Sequence, residues 1–491
     1  SDEGNNVWST SGPQAIGPEI LPNPSFSEKM EPWSLHCEGG ARADVGRDTE
    51  SADSPPASCR IHCSSPGGKG SDIQFYVAPF RIEEGRAYRL QVRAKSDTAF
   101  AMPCPVLMKA GPPWSVYARG RRDRSRNLEA NWSTFEYFYQ ATHTVDDARW
   151  TFFLGDAIPK GATLWLDSMS LTECGGEGLL LHDVGNIIFD GEKSCGVKVF
   201  NPEELKEQDQ YWYDEDSHVV KLYSVGNPAT VHSHVECALM RHLVDQSNAH
   251  HVIYENLAFK YGAAHGVGGG NTHHITVRDC DFGYIGGGDQ MGGDRTVRFG
   301  NGVEFWGSAH DCLVERCRLW EIYDAALTNQ SSGPKTPHYN IRYRHNVIWN
   351  SEYLFEYWNR PEESETHDIY FENNTCVNAG HGWGHTQRPD PSGRHLCFYT
   401  SPARASNIFI RNNIFFEALG NAFYAPTWPE EAVAALVMDN NCWYQAEGRM
   451  ISFPKISYGM DEFAAYQKDR NKEGRSIVAV PKFLDPEKRD F

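Results

Sequence analysis

Four stretches decide the fold: IRYRHNVIW (341–349), IYFENNTCV (369–377), IFIRNNIFF (408–416) and LVMDNNCWY (436–444). Each alternates apolar and polar residues, reaches an asparagine, and continues with an apolar run. The same pattern is present in VIYENLAF (252–259), ITVRDCDF (275–282) and LVERCRLW (313–320). Aligned on the turn residue, they give Asn256, Cys280, Cys317, Asn346, Asn374, Asn413 and Asn441, with steps of 24, 37, 29, 28, 39 and 28 residues. A period in the twenties with insertions predicts a β-type solenoid. One such coil buries its apolar face only by stacking on the next. A stacked Asn satisfies turn backbone groups above and below it, and a small burial-tolerant Cys fits the same slot. GNIIFDGEKSCGVKVF through VVKLYSVGNPATV (185–231) is expected to form the first coils, and SIVAVPKFLDPEKRDF (476–491) to close the stack.

This pattern resembles the right-handed parallel β-helix superfamily of pectate lyases and polygalacturonases. The resemblance implies an all-β fold with a groove on the outer face of each coil's first strand. Transferred here, the groove strands are GVEFW (302–306), AALTN (325–329), LFEYW (354–358) and GWGHT (382–386). With side chains alternating, Val303, Ala326, Phe355 and Trp383 are expected inward, and Glu304, Leu327, Glu356 and Gly384 outward. A one-residue slip reverses a strand.

Carboxylates flanked by apolar strand residues must be solvated, paired or functional. Glu304 and Glu356 are two coils apart, about 9–10 Å at a coil spacing of roughly 4.8 Å, at the upper edge of the roughly 6.5–9.5 Å of an inverting glycosidase pair. Asp324, in YDAALTNQ, resembles an aspartate of the DDAIAI segment of polygalacturonases. Tyr323 replaces the first Asp of that pair, and the family's NTD motif is absent. Asp324, Glu304 and Glu356 are therefore the candidate catalytic residues. Trp306, Tyr357 and Trp358 are candidates for stacking on sugar rings. His381 and His385 stand at the groove's end, and Arg360 and Arg388 follow two groove strands. The glycine-rich loop GGGDQMGGDRTVRFGNG (286–302) carries Asp289, Asp294, Arg295 and Arg298. Asp289 joins the substrate-binding candidates. Its acids are possible calcium ligands, but the EF-hand pattern is absent, so no metal site is assigned and no cofactor is required.

Upstream the grammar changes. Residues 1–20 read as a flexible segment, residues 21–176 as short strands between turns, and 177–491 as the solenoid. Tyr88, Leu90, Val92 and Ala94 alternate with polar partners at period two, which predicts an antiparallel sandwich. NPSF (23–26), EEGRAYRLQVRAKS (83–96), NWSTFEYFY (131–139) and LWLDSMSL (164–171) resemble, in that order, jelly-roll carbohydrate-binding modules fused to xylanases. Trp132, Trp150 and Trp165 lie in strand patterns and are expected to pack. Trp114 and Tyr117 lie in the Pro/Gly loop KAGPPWSVYARG and are the binding candidates.

Composition bounds the partners. With 46 basic and 65 acidic residues the net charge is −19, against nucleic acid as a partner. No run approaches the roughly 18 apolar residues of a membrane span. Aromatics at 12% suit sugar contact and β-structure alike. Thirteen cysteines leave at least one unpaired; Cys59 and Cys63 are a possible disulfide, and several others fall at solenoid core positions. The expectation is a monomeric, secreted, periplasmic or cell-surface protein whose leader has been removed, acting on a polysaccharide or oligosaccharide as a glycoside hydrolase. A lyase or C5-epimerase acting on uronic acids is the rival, since it uses Arg, Lys or Ca²⁺ against a substrate carboxylate. The groove strands hold more acids than bases, which favours hydrolysis. A non-catalytic binding or adhesin-like protein is the third reading.

Overall fold

In the strand Ala87–Ser96, Leu90, Val92 and Ala94 are fully buried while Arg89, Gln91, Arg93 and Lys95 are not. That period of two fixes one face against a core. In the computed structural model, which describes every residue except 119–124, 176–179, 216, 291–296 and 400–402, this strand lies between Ser133–Gln140 and Thr163–Gly175 in an antiparallel sheet that continues through Ser58–Ser65 to Arg42–Asp48. A second antiparallel sheet runs Val116–Ala118, Val106–Lys109, Val145–Phe153, Ile73–Ile82 and Ser34–Cys37. Phe75, Val77, Trp150 and Phe152 of the second sheet share one core with Leu90, Val92, Leu164 and Leu166 of the first. The unit formed by Thr10–Leu181 and Asp214–Val219 is thus a β-sandwich.

The other unit comprises Ser1–Ser9, His182–Tyr213 and Val220–Phe491, and its dominant pairing is parallel. Strand Val303–Glu315 pairs through its first half with Ala325–Ser331 and through its second half with His338–Arg344. Ala325–Ser331 pairs with Tyr353–Asn359, which pairs with Arg394–Phe398. His338–Arg344, Glu365–Glu372, Arg404–Arg411 and Leu436–Asp439 follow one another likewise. A separate eight-stranded sheet stacks Ala258–Lys260, Asp281–Ile285, Arg318–Ile322, Val347–Trp349, Thr375–Ala379, Ile414–Ala418, Cys442–Tyr444 and Ile477–Val478. Each repeat therefore contributes three strands, each beside its counterpart in the next repeat, around one shared apolar core.

The asparagine column forms as the spacing predicts over most of its length. Asn346 Oδ1 accepts the Cys317 N–H at 2.9 Å, Asn374 Oδ1 the Asn346 N–H at 3.0 Å, Asn413 Oδ1 the Asn374 N–H at 2.9 Å, and Asn441 Oδ1 the Asn413 N–H at 3.0 Å. Each amide nitrogen also donates to a backbone carbonyl, as Asn374 does to Tyr343 at 3.0 Å. The last member, Asn441, donates to both oxygens of buried Glu473 at 3.1 and 3.0 Å, and Trp443 Nε1 and Ser476 Oγ also donate to that carboxylate. The residue before each slot is left-handed, with φ of 56° at His345, 56° at Asn373 and 58° at Asn412.

Several expectations change. Glu255 pairs with Arg278 and Ala258 with Asp281, so Leu257, not Asn256, occupies the slot of Cys280; Asn256, with φ of 55°, is the left-handed residue before it. Val184–Phe189 pairs antiparallel with Ser194–Cys195 and Val235–Leu239, and Val197–Lys198 pairs in parallel with Gln210–Asp214 in a further separate sheet, so among the described residues the stretch from 185 does not join the two large parallel sheets. Residues 1–20 are not a free tail. Val7 and Trp8 pair with Tyr223 and Leu222, and Gln14–Glu19 pairs along Thr163–Gly175. Cys59 and Cys63 are both free thiols, because four residues along an extended strand separate their Cα atoms by about 13 Å, beyond disulfide reach.

Candidate active site

Parallel register sets the column that holds the acids. Glu304 pairs with Thr328 and Thr328 with Glu356, while Val303, Leu327 and Phe355 fill the neighbouring column and are fully buried. Leu327 is thus a core residue, and Thr328 stands where Leu327 was expected. The fourth member is Cys397 on Arg394–Phe398. GWGHT is not a groove strand, since His385–Gln387 forms a short 3₁₀ turn inside an insertion that precedes the true fourth strand. Gly384 and Trp383 leave both columns for that reason; Trp383 Nε1 donates to the Glu321 carbonyl at 2.9 Å.

Glu304 and Glu356 have opposite surroundings. His265 Nε2 lies 2.5 Å from Glu304 Oε2, and Asn301 Nδ2 donates to the same oxygen at 3.4 Å. The Asn301 backbone N–H donates to His265 Nδ1 at 3.0 Å, so the ring proton belongs on the nitrogen facing Glu304. Burial pushes the Glu304 carboxyl up, but the electrostatic attraction and hydrogen bond of His265, with the Asn301 hydrogen bond, outweigh it and leave it below the usual carboxylate range. Among the described residues, Glu356 accepts hydrogen bonds from neutral donors, Thr328 Oγ1 at 3.3 Å and Gln330 Nε2. Burial, then the charges of Asp324 and Glu304, push its carboxyl well above the usual range despite Arg388.

Asp324, half-buried, lies directly before Ala325–Ser331 and pairs with Arg388 Nη1 at 3.1 Å. Burial raises it more than Arg388 lowers it. That guanidinium also donates to the Tyr323 carbonyl at 3.0 Å and lies over the Tyr323 and Tyr353 rings. Arg388 is therefore committed within the protein rather than free for a substrate carboxylate.

Two residues along from the acids, Trp306 and Trp358 stack at 5.9 Å and 22°, with Gln330 between them in register. Trp306 is 38% exposed, and Arg360 lies 5.1 Å from the Trp358 ring centre. Tyr357 is corrected: it is fully buried, against Phe398 at 5.3 Å and Trp428 at 5.0 Å. His385 Nδ1 binds buried Glu352 at 2.9 Å, and Glu352 also accepts the Ser392 and Gly393 N–H groups, which pins the insertion. His381 is exposed on the same insertion. Asp289 is buried and its N–H donates to Asp183, partner of Lys198 at 2.5 Å; it belongs to an internal polar cluster rather than an open subsite. Arg298 donates to the Gly287 and Gly185 carbonyls at 2.7 and 2.6 Å. Asp294 and Arg295 lie outside the described residues.

The sequence reading missed His265, Asn301, Thr328 and Gln330. The usable signal for His265 is its position two residues before Val267, the parallel partner of Val303.

On the sandwich, Trp114 is 47% exposed. Tyr117 is buried and donates from its hydroxyl to Asp147 at 2.9 Å, so it belongs to the core rather than to a binding loop. Arg149 instead joins Trp114: its guanidinium lies 3.6 Å from the Tyr76 ring centre and 5.4 Å from that of Trp114, and donates to Gln74 at 2.7 Å. Trp150 packs in the core, whereas Trp132 and Trp165 are half-buried with Lys95 at 5.1 and 5.0 Å from their ring centres.

No protein-family model matches the chain, and no curated protein matches it. Among solved structures, part of the chain is similar to a family 4 carbohydrate-binding module, at 23% identity over 31% of this chain and 98% of that one, with a TM-score of 0.26. It is also similar to the N-terminal cellulose-binding domain of Cellulomonas fimi β-1,4-glucanase C, at 20% identity over 30% and 92% of the two chains, TM-score 0.24. A third is the CBM22-1 xylan-binding domain of Paenibacillus barcinonensis Xyn10C, at 10% identity over 33% and 97%, TM-score 0.25.

Proposed function

We propose that this chain is a secreted or cell-surface polysaccharide hydrolase, with a carbohydrate-binding sandwich and a catalytic right-handed parallel β-helix. The observation that carries the reading is the pair Glu304 and Glu356, two strands apart in one column and held in opposite environments: one carboxyl against His265, the other among neutral donors. Two carboxyl groups driven apart in pKa supply a base and an acid. Glu356 gives its proton to the glycosidic oxygen as the bond to the anomeric carbon breaks. Glu304 takes a proton from the water that attacks that carbon, and the result is inversion. Asp324 with Arg388 sets the field around Glu356. Trp306 and Trp358 offer flat apolar faces to neighbouring sugar rings. On the sandwich, Trp114, Tyr76, Arg149 and Gln74 form the sugar-contacting face.

The test is incubation with neutral and uronic polysaccharides from plants and algae, following reducing ends together with absorbance near 235 nm. Reducing ends without absorbance, lost in Glu356→Gln and Glu304→Gln, support the hydrolase. Rising absorbance identifies a lyase. Cleavage that survives in both variants rejects the acid–base assignment.

A further inference from the structure

Away from the carboxylates, a histidine cluster stands on the first two strands of the parallel run that continues through Val303–Glu315 and His338–Arg344. His250–Glu255 pairs in parallel with Gly270–Arg278, putting His250 beside His273, and His273 in turn pairs with His310. The rings of His250, His273 and His310 are stacked in nearly parallel planes, 4.8 Å apart at 2° and 5.0 Å apart at 4°. The next residue on each strand, His251, His274 and Asp311, is left-handed, with φ of 57°, 55° and 55°. That conformation turns a second row of side chains toward the first. His273 Nδ1 and His274 Nδ1 face each other at 3.0 Å, and one ligand atom each from His251, His273 and His274 lie within 4.8 Å of one another. His251 and His274 are exposed.

We propose that His251, His273 and His274 form a binding site for a divalent transition-metal ion of the zinc, nickel or copper class. Neutral imidazole is the ligand these ions favour, and hard calcium or magnesium ions prefer oxygen. Tetrahedral zinc with bonds of about 2.0–2.1 Å needs nitrogens about 3.3 Å apart. The facing pair is near that already, and the exposed His251 ring closes the remainder by rotation. Asp311, on Val303–Glu315, approaches His274 and His310 as a further donor. The bound ion joins two strands, the outer of which, His250–Glu255, has a sheet neighbour on one side only among the described residues. Metal binding therefore clips the open end of the stack, and its free energy adds to folding.

The test uses the full chain stripped with a chelator and titrated calorimetrically with zinc chloride at pH 7.5, alongside thermal melts. His251→Asn and His274→Asn are the variants, because Asn stands at the matching left-handed positions Asn340 and Asn407, with φ of 49° and 53°. One equivalent of zinc is expected to bind at micromolar Kd and raise Tm by several degrees. The double variant, with an unchanged metal-free melt, is expected to bind at least tenfold more weakly and to show no rise. His234→Asn, at an exposed histidine elsewhere, is expected to bind as the wild type does. Absence of binding, equal binding in the double variant, or an equal Tm rise with calcium overturns the proposal.

Discussion

Two columns of the same parallel stack follow opposite rules. At the turn, Asn346, Asn374, Asn413 and Asn441 repeat one side chain and one hydrogen bond through four rungs. On the strands, the column containing the acids reads Glu304, Thr328, Glu356, Cys397 and Tyr424, a different chemistry at nearly every rung. Repetition solves a problem every rung shares: satisfying backbone groups at a buried turn. Variation serves no such shared need, and under the proposed function this column is where a substrate would be read. The comparison predicts that a substitution in the first column damages stability, while one in the second damages rate.

The largest effect is expected from Glu356→Gln. Loss of a general acid lowers kcat by about 10²–10⁴-fold, while Tm stays within a few degrees because a neutral amide replaces a carboxyl that burial already disfavours as an anion. Steady-state kinetics beside a thermal melt separates the two. The wild-type pH–rate profile is expected to be bell-shaped. Its acid limb lies below the usual carboxylate range, where Glu304 gains a proton, and its alkaline limb well above it, where Glu356 loses one. A melt that collapses in Glu356→Gln would erase the distinction between the columns.

Asn374→Leu reverses the pattern. It leaves the Asn346 N–H and the Tyr343 carbonyl without their Asn374 partner and removes one of the two Asn374 donors to Asn413 Oδ1, at a cost of about 2–4 kcal/mol by denaturant unfolding. Activity per folded molecule is expected to persist. Glu473 tests the ladder's end. Burial pushes its carboxyl up to about 7 against the hydrogen bonds from Ser476, Asn441 and Trp443. A folded-state pKa above the unfolded one means that this acid's contribution is complete below about 4.5 and declines as pH rises through about 7. Unfolding measured at pH 5 and pH 8 is expected to show wild type losing on the order of 2 kcal/mol relative to Glu473→Gln. The smallest effect belongs to Trp306→Ala, with KM raised about fivefold and kcat unchanged, as loss of one stacking face implies.

The same contrast explains what could be read from the sequence. The turn column was legible because identical residues recur at steps of 28, 39 and 28 residues with apolar flanks. It failed at the first rung, where Leu257 holds the slot and Asn256 the turn. The acid column has no repeated residue to anchor it. Both acids were found, yet Leu327 was exchanged with Thr328, and the fourth strand was sought at 382–386 instead of Arg394–Phe398. Turn length varies between rungs, and one residue flips a strand's faces. Tyr357 looked like a sugar contact because an aromatic letter carries no sign of which way its strand faces, and Tyr117 because its strand, Val116–Ala118, reads as part of a Pro/Gly loop. His265 was passed over because its rung lies beyond the glycine-rich insertion, 39 residues before Glu304.

The turn column also has a direction. From Cys317 to Asn413 each backbone N–H in it donates to the side-chain oxygen of the following repeat, and the line ends on an acid that accepts from Asn441, Trp443 and Ser476. Such a line has a head and a terminator, like a polymer with distinct ends. A duplicated repeat spliced in between Asn374 and Asn413 would find a donor waiting on one side and an acceptor on the other. One appended after Asn441 would compete with Glu473 for the same amide. Growth and shrinkage of this protein over evolutionary time, or by design, should therefore occur at interior repeats, with the closing segment carried along unchanged.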